Sequence, residues 1–230
     1  GHEPLHPYRS NQEMIEKTST IFHRVDPQLG EYFDIMHREG LLDLENHKGK
    51  APGGYCTNYD LVRRPFIFMN GVGIHDDVMT LLHEGGHAFH VFEAAHLPYH
   101  SQTQITNEIA EVASMSMELL GNEFLEKFYA APEANRARRT HLEGIVNIFP
   151  WIATVDAFQH WIYTHPAHTR AERTAAWLEL MDRFGGEVDW RGQEAARVNL
   201  WHRQLHIFIH AFYYIEYGIA QLGALQVWAN

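Results

Sequence analysis

Along most of the 230-residue chain, apolar residues recur at three-to-four spacing, which is typical of helices. A pair of helices is predicted over 11–44, because Pro27 and Gly30 interrupt the repeat. The periodicity changes only at 55–59 and 66–70, two short runs that are typical of strands. Further helices are predicted over 78–95, 103–120, 132–163, 170–183, 193–201 and 212–228. The sequence therefore predicts a mainly α fold with one small β-sheet.

The composition limits the class of protein that this chain can form. An apolar content of 45% excludes intrinsic disorder, and 230 residues are enough for one domain or at most two small ones. The 18 Lys and Arg residues against 29 Asp and Glu give a net charge of −11. Because binding to phosphates needs a basic surface, this charge argues against a nucleic-acid partner. No repeat or linker divides the sequence, so we predict a single domain over 1–230.

Three features predict a soluble, cytoplasmic protein. The single cysteine, Cys56, rules out an intrachain disulfide, which fits a reducing compartment. The first residues show neither the basic nor the apolar part of a signal peptide. The most apolar run, over 207–228, is long enough to cross a bilayer, but Glu216 within it would be costly at the bilayer centre. We interpret that run as a buried helix and expect no membrane association.

One predicted helix contains an HExxH pattern, formed by His83-Glu84-Gly85-Gly86-His87. At 100° per residue the two histidines lie about 40° apart on one face, so both imidazoles can bind one tetrahedral cation. Glu84 is placed to reach a water molecule on that metal. The pattern lies inside a helix that follows a strand and a glycine-rich turn, and this position supports a metal site.

A catalytic zinc needs three protein ligands and leaves its fourth position to water. Glu111 lies 24 residues after His87 (111 − 87), enough chain for an antiparallel neighbouring helix to bring it to the metal. Glu118 lies two turns further along the same face, too far to bind the same ion, and is predicted to hydrogen-bond to a ligand instead. Glu108 has the same predicted role, or lies on a solvated face. His90, one turn beyond His87, is the alternative third ligand.

Six stretches around and beyond this motif carry a wider similarity: KAPGGYC at 50–56, FIFMN at 66–70, DVMTLLHEGGHAFH at 77–90, EVAS at 111–114, DAFQHW at 156–161 and FYYIEYG at 212–218. In this order, from about residue 42 to 228, they resemble the thimet oligopeptidase and oligoendopeptidase F family of zinc metallopeptidases. The bacterial oligoendopeptidase branch is the most similar. Members of that family take as third zinc ligand the glutamate that matches Glu111.

The resemblance implies a zincin-like helical catalytic domain, with the small β-sheet preceding the HExxH helix. Within it, 1–45 would form an N-terminal helix pair and 46–230 the catalytic core. One Zn²⁺ per chain is implied as the cofactor. The implied activity is that of an endopeptidase that hydrolyses peptide bonds in short oligopeptides.

Peptide hydrolysis requires a base and a group that stabilises the oxyanion. Glu84 would take a proton from the metal-bound water and pass it to the departing amine. By position, the resemblance assigns the stabilisation of the oxyanion to His206, Tyr214 and Tyr217. Tyrosines at helical spacing in an apolar helix are also typical of core residues, which is the alternative interpretation.

Tyr213 and His210, in the same region, are predicted to contact substrate. The sequence departs from the family at Ile209-His210, where relatives carry an acidic residue followed by a Val-Pro-like pair. This departure leaves two assignments open for the histidine that contacts the oxyanion or the substrate, namely His206 or His210.

A peptide substrate needs backbone pairing, and the edge of a sheet beside the metal helix can provide it by strand addition. Gly53, Gly54 and Tyr55 stand at the start of the first predicted strand. They fit such an edge because glycines allow a close approach of the backbone. We therefore predict that these three residues bind substrate; the alternative is an ordinary tight turn.

Family members are more than twice as long, and their N-terminal helical half forms the other wall of a channel that admits short peptides. The chain would lack that half, either as a fragment or as an unusually small enzyme. Without that half, the apolar surface that it normally covers would be exposed and would favour self-association into a homo-oligomer. Two functions remain, a zinc endopeptidase or a catalytically impaired peptide- or metal-binding module. The presence of Glu84 favours the enzyme, since a binding module has no use for it.

Overall fold

The computed structural model describes residues 3–186 and 188–230, which form a mainly helical structure with one small sheet, as predicted. The elements are, in chain order, α1 (Asn11–Val25), α2 (Pro27–Arg38), β1 (Leu42–Glu45), β2 (Tyr55–Tyr59), β3 (Arg64–Gly71), α3 (His75–Ala94), α4 (Asn107–Asn122), α5 (Ala131–Thr164), α6 (Arg170–Phe184), α7 (Glu194–Asn199), α8 (His206–Ile209) and α9 (Tyr214–Ala229). Short 3₁₀ turns lie at His100–Gln102, Leu125–Lys127 and Leu200–Arg203.

The described residues group into two compact units. Unit 1 contains the residues up to His141 together with Ala220–Asn230, and unit 2 contains Leu142–Ile219. Helices α5 and α9 therefore each contribute residues to both units. The single domain over 1–230, with its catalytic core over 46–230, stays a prediction.

Unit 1 begins with the helix pair α1 and α2. The Asp26 carboxylate accepts a hydrogen bond from Gln28 N at 2.7 Å, and Pro27 occupies the start of α2, where no backbone donor is needed. Helix α2 ends at Arg38, because Gly40 turns the chain with a positive φ of 69°. The helix pair is therefore shorter than the sequence predicts.

The three strands are ordered β1–β3–β2. β1 runs parallel to β3 and pairs Leu42 with Ile67, whereas β2 runs antiparallel to β3 and pairs Cys56 with Ile67. The two predicted strands are confirmed. Residues 42–45 were wrongly predicted as the end of the helix pair, because four residues are too few to separate a period of two from one of three to four.

A buried lysine joins the sheet to the loop before β2. Lys50 Nζ donates to the carbonyl oxygens of Asp43, Glu45 and Met69 at 3.1, 2.8 and 2.6 Å, and to Asp43 Oδ1 at 2.9 Å. Its side chain is only 3% exposed. A buried ammonium is costly unless all its protons are used, so these contacts fix the path of the chain that leads into β2.

The start of α3 is held by Asp77, a buried carboxylate. Its Oδ2 accepts hydrogen bonds from the backbone N–H groups of Val72, Gly73 and Ile74 at 2.8–2.9 Å and from the Tyr8 hydroxyl at 2.6 Å. Negative charge in the first turn also suits the helix dipole. The chain therefore passes from β3 into α3 through a short, fixed turn, and α3 packs against β2 and β3.

Aromatic rings from three helices form the centre of the unit 1 core. The Phe22 ring of α1 lies 5.0 Å from that of Phe33 in α2 and 4.8 Å from that of Phe89 in α3. A Cβ atom on Gly85 would lie 2.5 Å from Phe22 Cζ, so only glycine at this position lets α1 approach α3. The packing of α1 therefore fixes α3 at the HExxH motif itself.

Unit 2 has its own aromatic core. The Phe158 ring lies 5.0 Å from that of Trp177 and 5.4 Å from that of Trp201. Helix α6 is capped by Thr169, whose side chain accepts from Glu172 N while the Glu172 carboxylate accepts from Thr169 N. Within the described ranges no helix combines the length and the apolar character needed to cross a membrane.

Candidate metal centre

Helices α3 and α4 bring three potential metal ligands together, His83, His87 and Glu111, called the metal centre below. His83 Nε2 lies 3.3 Å from Glu111 Oε2, and His87 Nε2 lies 3.8 Å from the same oxygen. One ligand atom from each of the three residues lies within 4.8 Å of the other two. His90, the alternative third ligand, points its Nε2 at Thr103 O instead, at 3.3 Å.

The second glycine of the motif explains how α4 comes so close to α3. A Cβ atom on Gly86 would lie 2.5 Å from Ser114 Cα and 2.8 Å from Ala113 O, so any other residue would push the two helices apart. Ser114 Oγ in turn donates to Glu111 Oε2 at 3.2 Å, which orients the carboxylate. Gly86, between the two histidines, thus allows the short distance between α3 and the third ligand, Glu111 of α4.

The metal centre fits a zinc ion in donor type and in spacing. Ligand atoms about 2.0–2.2 Å from a tetrahedral zinc lie about 3.3–3.6 Å from one another, close to the separations of 3.3 and 3.8 Å found here. Two imidazole nitrogens and one carboxylate oxygen make the three-ligand set of catalytic zinc sites. The two histidine side chains are 21% and 22% exposed, so one side of the centre is open to solvent.

Burial and charge act differently on the two histidines. Burial alone would lower the pKa of His83, but the hydrogen bonds with Glu111 and Glu118 outweigh it and raise the pKa to about 10. At His87, burial and the repulsion from charged His83 lower the pKa to about 4. Near neutral pH, His87 is therefore ready to bind a metal, whereas a metal must displace a proton from His83.

Glu84 lies between the metal centre and the sheet. Its side chain is buried, and burial raises its pKa to about 7; the charge of His83 opposes this shift and that of Glu111 adds to it. The backbone N–H of Cys56 in β2 donates a hydrogen bond to its carboxylate. Burial, aided by the charge of Glu84, also raises the pKa of the Cys56 thiol to about 12. The carboxyl group of Glu84 is thus poised to gain or lose a proton near neutral pH.

Behind His83 lies Glu118, whose Oε1 is 2.6 Å from His83 Nδ1. Burial alone would raise the pKa of Glu118, but the hydrogen bonds with His141 and His83 lower it to about 2, so the group is a carboxylate. This contact directs Nε2 of His83 toward Glu111. Glu108 is half-buried in the first turn of α4. The supporting roles of Glu118 and Glu108 stay predictions.

The residues predicted to bind substrate stand at the edge strand β2. Gly53 has a positive φ of 99°, and a Cβ atom on Gly54 would lie 2.9 Å from Thr80 Cγ2 of α3. Tyr55 is 50% exposed, and its ring stacks on that of Phe68 at 4.9 Å. The described part of the sheet ends at β2, so its outer edge can take up a further strand. The substrate role of these residues stays a prediction.

In unit 2, four residues named from the sequence form an aromatic cluster: His206, Tyr213, Tyr214 and Tyr217. The His206 ring lies 5.6, 5.2 and 5.7 Å from the rings of the three tyrosines in that order. His206 Nε2 lies 3.3 Å from the Tyr217 hydroxyl. Tyr214 is buried and the other members of the cluster are half-buried.

Gln204 and Trp151 orient the aromatic cluster. Gln204 Nε2 donates to His206 Nδ1 at 2.6 Å, so His206 carries a proton on Nε2, which faces Tyr217. Trp151 Nε1 lies 3.2 Å from Gln204 Oε1 and 3.1 Å from the Tyr214 hydroxyl. His210 is exposed, with its ring 6.2 Å from that of His206. The choice between His206 and His210 as the histidine that contacts substrate stays open.

Comparison with known proteins establishes the family. Residues 28–230, most of the chain, match the sequence profile of peptidase family M3. The chain belongs to that family. The resemblance found in the sequence is thereby confirmed.

Relatives of this M3 chain include Oligopeptidase PepF of Bacillus subtilis (strain 168), 34% identical over 42% of this chain, and Oligoendopeptidase F, chromosomal, of Lactococcus lactis subsp. cremoris, 30% identical over 50% of it. The solved structure of PZ peptidase A with inhibitor 2 superposes with a TM-score of 0.92 and 36% identity over 99% of the chain. The zincin-like fold is therefore confirmed. The matches span 15% and 19% of the two curated relatives and 40% of the solved structure.

The M3 chain also contains a buried contact that sequence reasoning missed. His141 in α5 lies with its Nε2 3.0 Å from Glu118 Oε2. Its spacing to the motif follows no helical or strand period, and the chain holds 18 histidines. No local signal separated this histidine from the others, because the contact depends on how α5 packs against α4.

Proposed function

We propose that the chain forms the catalytic part of a zinc-dependent endopeptidase that hydrolyses peptide bonds in short oligopeptides. The observation that carries this proposal is the buried Glu84, with a pKa of about 7, beside a three-ligand metal centre. A zinc ion held by His83, His87 and Glu111 would supply a Lewis acid that lowers the pKa of water from 15.7 to about 7.

In this proposal Glu84 acts first as a base and then as an acid. It accepts a proton from the attacking water and delivers that proton to the nitrogen of the departing amine. A group with these two tasks works best when its pKa is close to the working pH, and burial raises the pKa of Glu84 to about 7. The hydrogen bond from Cys56 N holds the carboxylate in place.

Three members of the aromatic cluster, His206, Tyr214 and Tyr217, are proposed to stabilise the oxyanion. His206 directs an Nε2 proton at the Tyr217 hydroxyl, and the Tyr214 hydroxyl accepts from Trp151 and so keeps its own proton to donate. Neutral donors of this kind suit an oxygen that becomes negative during the reaction. The assignment rests on the sequence resemblance in this region.

The outer edge of β2 is proposed to bind the backbone of the peptide by strand addition. A Cβ atom on Gly53 would meet nothing within 4 Å, so a peptide can approach the backbone there. Gly54, whose missing side chain leaves room for Thr80 of α3, is proposed to contribute its backbone, and the exposed Tyr55 ring offers an apolar contact to a side chain of the peptide. Tyr213 and His210 are proposed to contact the substrate from unit 2.

Cleavage of a quenched fluorescent peptide, with and without a chelator, tests the proposal. We expect chelation to abolish cleavage and added Zn²⁺ to restore it. Glu84→Gln should lower kcat/KM by about 10²–10⁴-fold, the usual contribution of a general base, while metal analysis still finds one zinc per chain.

Glu93→Gln is the matched control, because Glu93 lies on the same helix and contacts Tyr32 at 3.0 Å, away from the metal centre. It should keep the activity of the parent protein. Zinc retention without chelator-sensitive cleavage would refute the enzyme and leave a peptide- or metal-binding module.

A further inference from the structure

A buried polar chain runs from the metal centre to α5. Glu118 places one carboxylate oxygen 2.6 Å from His83 Nδ1 and the other 3.0 Å from His141 Nε2. The side chains of Glu118 and His141 are only 18% and 12% exposed. Each oxygen of this carboxylate is therefore committed to a different histidine, and only one of the two histidines is a potential ligand.

The direction of the hydrogen bond from His141 follows from chemistry. The side-chain NH₂ of Asn122 can only donate, and it faces His141 Nδ1, so the ring proton lies on Nε2 and is donated to Glu118 Oε2. The other ring nitrogen, Nδ1, contacts the side-chain amide of Asn122 at the end of α4. Both nitrogens of His141 are thus used, and the ring is held between two residues of α4.

A second contact fixes the part of α5 that carries His141. Arg138, one turn earlier, donates from Nε to Asn122 O at 2.8 Å and from Nη2 to Glu123 O at 3.1 Å. The same nitrogen reaches both carboxylate oxygens of Glu126 at 2.6 Å. These contacts cap the end of α4 and set the register of α5 against it, so that His141 faces Glu118.

A buried histidine with two satisfied nitrogens is ordinarily a core residue. His141 differs because the carboxylate that it contacts, that of Glu118, also contacts the potential metal ligand His83. Of the two nitrogens of His83, Nδ1 faces Glu118 and Nε2 faces Glu111, so the orientation of the Glu118 carboxylate decides which nitrogen is offered to the metal. Partners of this kind fix the ring orientation of a ligand and raise its basicity.

We propose that His141 is a positioning residue of the metal centre, which holds Glu118 so that His83 presents Nε2 to the metal. The inference rests on the proposed function in one respect, namely that both involve the same metal centre. It predicts an effect on zinc affinity that is measured without any substrate, and a loss of kcat with little change in KM wherever hydrolysis is observed.

The test compares three substitutions of one residue in the full chain, with zinc affinity measured by competition against a chromogenic chelator at fixed pH. His141→Gln keeps an N–H at the position of Nε2, whereas His141→Asn keeps one only near Nδ1, and His141→Phe keeps neither. We expect His141→Phe and His141→Asn to lower zinc affinity about 10–100-fold, the typical effect of losing such a partner. His141→Gln should stay within about threefold of the parent protein.

His168→Phe is the control, since His168 is a half-buried histidine of unit 2 whose Nε2 lies 3.2 Å from Arg173 Nη1. Its zinc affinity should equal that of the parent. If His141→Phe does not fold, the Gln and Asn variants decide the question. Equal zinc affinity in His141→Gln and His141→Asn would overturn the proposal. The expected affinities in a chain without peptidase activity would support the positioning role and refute only the proposed function.

Discussion

Different forces hold the residues of the metal centre in unit 1 and those of the aromatic cluster in unit 2. In the metal centre, the Glu111 carboxylate of α4 lies 3.3 and 3.8 Å from the two imidazoles of α3, and Glu118 supports one of these imidazoles from 2.6 Å. In the aromatic cluster, rings lie 5.2–5.7 Å from that of His206, whose Nε2 is 3.3 Å from the Tyr217 hydroxyl. Hydrogen bonds from the neutral side chains of Gln204 and Trp151 orient these rings.

This difference in the stabilising interactions fits the different roles proposed for the metal centre and the aromatic cluster. Charged hydrogen bonds in a buried place fix individual atoms, which a metal requires because its ligands must meet within a few tenths of an ångström. Aromatic packing fixes the planes of the rings but leaves each hydroxyl proton able to rotate toward a new acceptor. The hydrogen-bonded arrangement therefore suits the binding of a metal ion. The aromatic arrangement suits the stabilisation of a negative charge that develops only during the reaction.

The largest effect should come from breaking the metal centre. Glu111→Ala removes the only carboxylate among the three ligands, and we expect zinc affinity to fall by more than the roughly 100-fold upper limit for residues that only support ligands. Chelator competition measures the loss. The near-ultraviolet circular dichroism of the protein should not change, and a change would show that the substitution disturbs aromatic packing and not only the metal centre.

Removing a hydroxyl from the aromatic cluster should lower the rate of peptide hydrolysis and leave zinc affinity unchanged. For Tyr217→Phe we expect kcat to fall about 100-fold, as for the loss of one donor to an oxyanion, with zinc affinity unaltered. Tyr163→Phe, at a half-exposed tyrosine of the same unit that contacts Phe212, should behave like the parent. A drop in zinc affinity in Tyr217→Phe would show that the cluster also supports the metal.

The smallest effect concerns the environment of Glu84. Because burial raises the pKa of Cys56 to about 12, only about one thiol in 10⁴ is ionised at pH 8, and alkylation should be slow and speed up tenfold per pH unit toward pH 12. Glu84→Gln removes a negative charge that disfavours the thiolate, so it should speed alkylation a few-fold. Rates followed by mass spectrometry would check both. Equal rates in the parent and in Glu84→Gln would show that the charge of Glu84 does not reach the thiol.

Sequence reasoning predicted the parts of the molecule that local patterns encode. The long helices, strands β2 and β3 and the three candidate ligands all follow from periodicity or from motif spacing. The sequence assigns no role to the two glycines of the motif, whereas in the structure Gly85 lets α1 approach α3 and Gly86 lets α4 approach it. Their role depends on neighbours from distant parts of the chain, so no window of sequence contains it.

The other features that the sequence did not predict also depend on the surrounding fold. Strand β1 exists because β3 offers it a parallel edge, and its own four residues carry too short a pattern to show it. Helix α4 begins at Asn107 rather than at 103, because the chain between the 3₁₀ turn at His100–Gln102 and the helix is irregular and Thr106 is extended (φ −73°, ψ 154°). His141 meets Glu118 across 23 residues, through packing that Arg138 stabilises.

The division of the chain into units has a consequence for the order in which the molecule is made. Ala220–Asn230 belongs to unit 1 although the whole of unit 2 precedes it in sequence. A Cβ atom on Gly223 would lie 2.8 Å from Val112 Cγ2, so α9 packs directly against the helix that carries Glu111. During synthesis, α4 therefore gains this neighbour only after α9 has been translated. Unit 1, which holds the potential ligands, is thus completed after unit 2, although most of its residues precede unit 2 in the sequence.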